Sequence, residues 1–279
     1  MSPRKKIACF ITGGFTEVNS MKWFLKKVNA NLDFIQLCPV SLRKNRDSIR
    51  NRVNTSLNNG VSTSRGPNGL TGASLVNYVV EYITDPKYSF SPSEYAAILI
   101  EDDKDSRFLA IQDDGSSKID ISAWNKYEEE VSEKIGRIVP DIPVILLLAA
   151  PEVEAWFIAD WDNSFAKAFK AVSGLTTEEN TLFSTRFRRY INDTLLTERY
   201  RYSIEEYGYF DGMYRKLIEE IQNALDVNDF LKDRTPHKEI RYTKTNHGEE
   251  MLREIEPQSV RRGCTTCFRK VYDMLSNME

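Results

Sequence analysis

No stretch of this sequence approaches the roughly 18 consecutive apolar residues that a membrane-spanning helix needs; the run VILLLAA at 144–150 is typical of what it has. Histidine is scarce, with only His237 and His247, and 279 residues carry four cysteines. That cysteine content excludes a secreted disulfide scaffold in a chain of this length. The histidine spacing fits no zinc pattern, and the CTTC pair Cys264 and Cys267 would need two further ligands to hold zinc; it reads instead as a helical turn with both thiols on one face. Net charge is also lacking: 38 Lys and Arg stand against 41 Asp and Glu, a formal −3. No global field advertises a polyanion, although net charge averages away a local basic surface. The N-terminal MSPRKKIACFITGG is basic and then apolar, like a signal peptide. Its apolar part is short and runs through β-branched residues into a Gly-Gly turn, so it reads as a first strand of a cytoplasmic protein.

What is present is an ordinary globular composition, 41% hydrophobic and 28% charged, organised by periodicity. Short apolar runs recur at 6–12, 33–40, 95–101 and 144–150, several of them apolar on both faces as in a covered parallel sheet. Between them lie helical patterns: 17–29 with Met21, Phe24, Leu25 and Val28 on one stripe, a basic helix over 41–58, 73–84, and a charged helix over 122–138. Alternation of this kind predicts an α/β domain over residues 1–150, a Rossmannoid parallel sheet flanked by helices. Residues 151–279 are rich in Glu, Arg, Tyr, Phe and Leu at helical spacing. They predict a mainly helical extension packed on the sheet, with one helix near 211–226 and a terminal helix through VRRGCTTCFRKVYDMLSNM.

In open parallel sheets ligands bind beyond the carboxyl ends of the strands. Three acidic clusters fall there: TGGFTE with Glu17 after the first strand, EDDKDS with Glu101, Asp102, Asp103 and Asp105 after the third, and PEVEAW with Glu152 and Glu154 after the fourth. Carboxylate oxygens are the ligands that magnesium and manganese prefer. Residues two apart on a strand face one side, so Glu101 and Asp103 can share one ion. Each cluster also has a plainer reading. Pro151 suits the first position of a helix whose dipole favours Glu152 and Glu154, Glu17 stands at a helix start, and Asp105 can cap a helix. The glycine-rich SRGPNGLTGAS (64–74), with Arg65, Gly69 and Gly72, reads as a phosphate cradle or a connecting loop. It is not a nucleotide-binding P-loop, since Ala73 stands where that motif needs Lys. Basic residues cluster at 43–52, at 186–201 among aromatics, and at Lys238, Arg241, Lys244 and His247, each a candidate nucleic-acid surface or a solvated face.

Together ITGGFTE (11–17), AILIEDDKD (97–105) and APEVEAWFIAD (150–160) resemble the Toprim fold shared by topoisomerases, primases and nucleases of the overcoming-lysogenisation-defect group. With PHKEIRYTKTNHGEEM (236–251) and RRGCTTCFRKVYDML (261–275), the chain resembles a Toprim-like family found beside ABC- or AAA-type ATPases in phage-defence loci. The resemblance spans most of the chain, and EVEAWFIAD is its most specific part. It implies a Mg- or Mn-dependent phosphodiesterase or nuclease acting on DNA or RNA, a defence effector controlled by an ATPase partner. Glu101 and Asp103 take the family's metal-holding Asp-x-Asp positions, with Asp105 following. Glu152 and Glu154 complete the acidic site, and Lys244 faces phosphate with Lys238 and His247 nearby. The family's first-strand Glu-Gly-x-Thr-Glu departs here: its first glutamate, a general acid or base worth about 10²–10⁴-fold in rate, is replaced by Gly13. Glu17 or Glu152 is then left to move the proton. The alternative is a catalytically degenerate subunit that binds nucleic acid or senses it within a defence complex. A third reading is a small-molecule phosphatase or nucleotide-binding α/β protein.

Overall fold

The computed structural model describes residues 4–38, 69–104, 106–115, 117–170, 172, 175–195, 203–210, 213–214, 216–227 and 240–278. Along the chain run β1 (Lys5–Ile11), α1 (Phe15–Val28), β2 (Leu32–Cys38), α2 (Gly72–Thr84), β3 (Ala97–Asp103), β4 (Leu109–Ile111), β5 (Ser117–Ile119), α3 (Ile121–Gly136) and β6 (Val144–Ala149). Then follow α4 (Glu154–Ala159), α5 (Phe165–Ala168), α6 (Thr177–Leu195), β7 (Tyr209–Phe210), β8 (Met213–Tyr214), α7 (Leu217–Val227), a π-helical turn (Lys244–Gly248), α8 (Glu249–Glu254), α9 (Pro257–Gly263) and α10 (Cys267–Ser276).

Four strands form one parallel sheet in the order β2-β1-β3-β6. The apolar runs predicted all four to within about two residues. Side chains alternate across the sheet. Ile7, Cys9, Ile11, Ala97, Leu99, Ile145, Leu147 and Ala149 face one core with Met21, Phe24 and Leu25 of α1. Ala8, Phe10, Ile98, Ile100, Leu146 and Leu148 face the other, against α2 and α3. The architecture is Rossmann-like: an α/β sandwich with helices on both faces and a helical C-terminal half. That half joins α1 on one face of the sheet. Trp156 and Phe268 join the α1 core, with ring centroids 5.2 Å from Phe24 to Trp156 and 4.9 Å from Trp156 to Phe268. No helix of the described residues is long and apolar enough to cross a membrane.

Three expectations for the C-terminal half change. Pro151 follows a cis peptide bond in a turn, and α4 starts three residues later at Glu154, so Glu152 lies outside the helix. Within the segment 211–226 the described helix begins at Leu217, and Met213–Tyr214 instead pairs antiparallel with Tyr209–Phe210. The terminal helix is two, α9 and α10. Gly263 approaches Ala159 so closely that a Cβ there would stand 2.6 Å from the alanine methyl. The buried Glu205 carboxylate then accepts the N–H groups of Thr266 (2.6 Å), Cys267 (3.1 Å) and Phe268 (2.8 Å), which α10 leaves without intrahelical partners. The CTTC thiols therefore do not share a face. Cys264 packs in the α1 core, Cys267 in the α2–α3 core, and burial pushes both thiols up. The basic helix read over 41–58 lies outside the described residues.

Candidate functional site

The strand order reverses between β1 and β3: β2 lies to one side of β1, and β3 to the other. The helix after β1 (α1) and the helix before β3 (α2) pack on opposite faces, so the carboxyl ends of these two strands border the crevice in which such sheets bind ligands. Gly13 sits there. Its N–H donates to Glu101 Oε2 at 3.3 Å. A Cβ on Gly13 would stand 3.0 Å from both Glu101 oxygens and 3.3 Å from Cγ of Glu17. The missing side chain is thus what lets two other carboxylates occupy the crevice.

Period-two alternation sorts the acidic run on β3. Glu101 and Asp103 follow Ala97 and Leu99 toward α1 and the C-terminal layer, while Asp102 follows Ile98 and Ile100 to the opposite face. On the first face the fully buried Glu101 meets the fully buried Glu17 from the first turn of α1. Glu154 enters from the start of α4, with Glu152 from the turn before it. Lys244, on the π turn, inserts its ammonium 3.3 Å from Glu154 Oε2 and 3.9 Å from Glu17 Oε1. Tyr242, two residues earlier, donates its buried hydroxyl to Glu154 Oε1 at 2.9 Å.

The turn is fastened to α1. Thr16 Oγ1 donates to the Lys244 carbonyl (3.1 Å), Ser20 to the Glu249 carbonyl (2.9 Å), and Gly248 presses on Thr16, where a Cβ would collide. Burial pushes the Glu101 carboxyl well up, and the neighbouring charges of Asp103, Glu17 and Asp102 push it further. Burial raises Glu17 as well; Lys244 opposes this and Glu154 adds to it. For Lys244 burial favours the neutral amine, but Glu154, Glu17, Asp103 and Glu152 outweigh it and hold the ammonium charged.

The structure therefore brings together Glu17, Glu101, Asp103, Glu152, Glu154 and Lys244. His247 stands apart. Its Nδ1 accepts the Thr243 N–H at 3.2 Å, and its ring packs on Phe169 and Tyr242 at 5.2 and 5.8 Å. It lines a cavity of about 110 Å³ with Lys167, Glu250 and Glu254, and none of the clustered carboxylates borders that cavity. Gly69 and Gly72 both adopt left-handed backbone, φ 77° and 55°, as glycine allows. Their N–H groups are spent inside the protein, that of Gly69 on the Thr12 carbonyl and that of Gly72 on both Asp102 oxygens at 3.2 Å. The start of α2 thus already holds an internal anion. Asp102 is further held by Arg107 at 2.8 Å and by the Tyr127 hydroxyl at 3.3 Å, with the guanidinium lying on the Phe108 and Tyr127 rings. Asp105, Arg65 and Lys238 lie outside the described residues, as do His237 and the basic cluster at 43–52. In the 186–201 cluster, Arg188 pairs with Asp162 at 3.1 Å on the surface.

Sequence reading missed Tyr242, Arg107 and Glu205. Tyr242 had a usable signal: it stands two residues before Lys244, the spacing that aims both at one side of an extended approach.

These residues suit a hard divalent cation. Glu101 Oε1 and both Glu17 oxygens are buried without a hydrogen-bond donor. Like charges crowd them, and the Lys244 ammonium faces the cluster. No three His, Cys, Asp or Glu side chains among the described residues form a ready-made ligand cage. Magnesium seldom uses one; it takes one or two carboxylates and completes its shell with water and substrate phosphate. Glu101 and Asp103 match that habit. Comparisons with protein-family models, curated proteins and solved structures returned no match.

Proposed function

We propose that the chain is a magnesium- or manganese-dependent phosphodiesterase or nuclease of the Toprim type, acting on DNA or RNA. The observation that carries this reading is the meeting of five carboxylates and one lysine at the reversal point of a parallel sheet, drawn from three strand ends and a segment over 80 residues further on. Glu101 and Asp103 would hold the cation, which when bound polarises a phosphoryl oxygen and lowers the pKa of water. The Lys244 ammonium would meet a second phosphoryl oxygen, where positive charge favours the charged transition state. Glu17 is the residue for proton transfer. Burial raises its carboxyl above the ordinary value, the direction a general acid or base needs. It also fills the space beside Gly13 that a glutamate at position 13 would otherwise share. Glu152 borders the same cluster but lies further from Gly13's side, in the turn before α4.

Such a hydrolase is dangerous to its own cell. Control by a partner ATPase of the ABC or AAA type, as an effector in phage defence, is the biological setting we infer. The test is cleavage of labelled tRNA, single-stranded DNA and duplex DNA by the full chain, alone and with that ATPase, in Mg²⁺, Mn²⁺ or EDTA. Cation-dependent cleavage lost in Glu101→Ala/Asp103→Ala is the expected result. Intact ATPase binding with no cleavage under any condition would instead leave a degenerate nucleic-acid-binding or sensor subunit.

A further inference from the structure

We propose that His247 is a positioning residue for the turn that carries Lys244, and that its protonation releases the turn. This holds whichever reaction the acidic cluster performs. Tyr242 and Lys244 both hold Glu154, one through its hydroxyl at 2.9 Å and the other through its ammonium at 3.3 Å. Thr243 stands between them, and His247 fixes its backbone. Nδ1 of His247 accepts the Thr243 N–H at 3.2 Å, while Thr243 Oγ1 accepts the Asn246 N–H at 3.2 Å. A reciprocal pair of this kind closes the start of a helix; here an imidazole, one residue further on, takes the place usual for a glutamate or glutamine side chain.

Only an unprotonated Nδ1 can accept. Once protonated, the same atom is a donor 3.3 Å from the Thr243 carbonyl oxygen. That oxygen already accepts the N–H groups of Asn246 at 3.2 Å and His247 at 3.0 Å, which use both of its lone pairs. A proton on Nδ1 therefore leaves the Thr243 N–H without this acceptor and presses a third donor on a carbonyl that has room for two. It also puts positive charge at the start of the helical run through α8, the end that disfavours a cation. The charged ring has another place to go. It lines the cavity with Lys167 of α5 and with Glu250 and Glu254 of α8, and the ionisable Tyr242 stacks on it. Lys167 pairs with Glu254 at 2.8 Å and also faces Asp160 and Glu250. The carboxylates outnumber the one lysine, so an imidazolium is drawn toward the cavity and away from Thr243. Neutral His247 caps the turn; charged His247 belongs to the cavity. Histidine changes charge near a pH of about 6.5, within the range a cell can reach.

The experiment is amide hydrogen exchange of the full chain at pH 7.5 and 5.5, each rate divided by that of unstructured peptide at the same pH. Loss of one hydrogen bond should lower protection of the Thr243 amide about tenfold at pH 5.5 in wild type. His247→Gln keeps an acceptor that does not titrate, so its Thr243 protection is equal at both pH values, and His237→Gln keeps the wild-type fall. Tyr242→Phe should lower the folding equilibrium by a smaller factor at pH 5.5 than at 7.5 in wild type, because the released segment no longer holds Glu154, and by equal factors in the His247→Gln background. Should His247→Gln fail to fold, the imidazole ¹⁵N signals of wild type decide: Nδ1 is the unprotonated nitrogen at pH 7.5 and titrates together with the loss of Thr243 protection. The proposal is overturned by a fall that persists in folded His247→Gln, by Thr243 protection that is constant with pH in wild type, by a Tyr242→Phe effect that is the same at both pH values in wild type, or by a protonated Nδ1 at pH 7.5.

Discussion

Tyr242→Phe isolates one hydroxyl in the buried half of the acidic site. The phenol is 5% exposed and donates to Glu154 Oε1 at 2.9 Å. Its ring packs against Phe165 at 5.5 Å and His247 at 5.8 Å, contacts that phenylalanine keeps. The substitution therefore removes a hydrogen bond to an ion-paired, buried carboxylate and leaves the packing in place. Hydrogen bonds to charged groups are worth about 1.5–3 kcal/mol, and a buried acceptor left unpaired loses the full amount. The folding equilibrium should fall roughly 10- to 150-fold, equivalent to a drop in Tm of roughly 3–12 °C for a chain of this size. Urea unfolding measures it, with an unchanged slope showing that both states keep their compactness. A double-mutant cycle with Glu154→Gln assigns the loss to this pair if the coupling reaches about 1–2 kcal/mol. A loss below about 0.5 kcal/mol, the range of ordinary surface changes, would refute the view that Tyr242 holds Glu154 in place for Lys244.

The raised carboxyl of Glu101 sets a pH dependence. Between the ordinary value of 4.5 and its raised folded value, the folded chain binds more protons than the unfolded one. Stability without metal therefore falls as pH rises through that window, and Glu101→Gln should flatten the slope and raise Tm at neutral pH; an unchanged profile in thermal melts would count against the buried charge. Gly13→Ala places a methyl 3.0 Å from both Glu101 oxygens. Overpacking of this kind costs about 1–3 kcal/mol, and because the methyl meets Glu101, the proposed ligand, Mn²⁺ affinity should weaken about tenfold by calorimetry. Arg107→Leu leaves the 2%-exposed Asp102 without its cation, which should cost about 3–5 kcal/mol in urea unfolding. Bound Mn²⁺ per chain should not change, because Asp102 faces the other side of β3; a lost ion would show that the two faces act as one site.

The sheet was legible because a covered parallel strand needs apolar residues on both faces, and the four runs are short and bounded by turn or polar residues. The pairing of Glu101 with Asp103, and the exclusion of Asp102, follows from alternation alone. What could not be read was which residues meet across distance. Tyr242 reaches Glu154 over 88 positions, and Glu205 caps a helix 62 positions away. No local pattern encodes such a contact. Pro151 misled for a related reason. Proline suits the first turn of a helix in isolation, yet here the chain must first turn from the end of β6 before α4 can lie against the α1 core. The glycine-rich loop misled because an anion site can be filled from within: its N–H groups face Asp102 and Thr12.

Position 13 and position 244 are best understood together. A glutamate at 13 would crowd Glu101 and Glu17, both already buried and raised in pKa by burial, Glu101 further by Asp103 and Glu17, and Glu17 further by Glu154. Adding a further carboxylate there would add repulsion without adding a counter-ion. The chain instead has glycine at 13, keeps Glu17 one helical turn on, and brings a lysine from the C-terminal layer to balance it. That layer covers the same face of the sheet on which Glu101 and Asp103 lie, through Trp156 and Phe268 packed on Phe24. Packing and chemistry thus have one cause. The face that α1 and the C-terminal segments bury is the one that carries Glu101 and Asp103, and the Lys244 ammonium comes from those same segments.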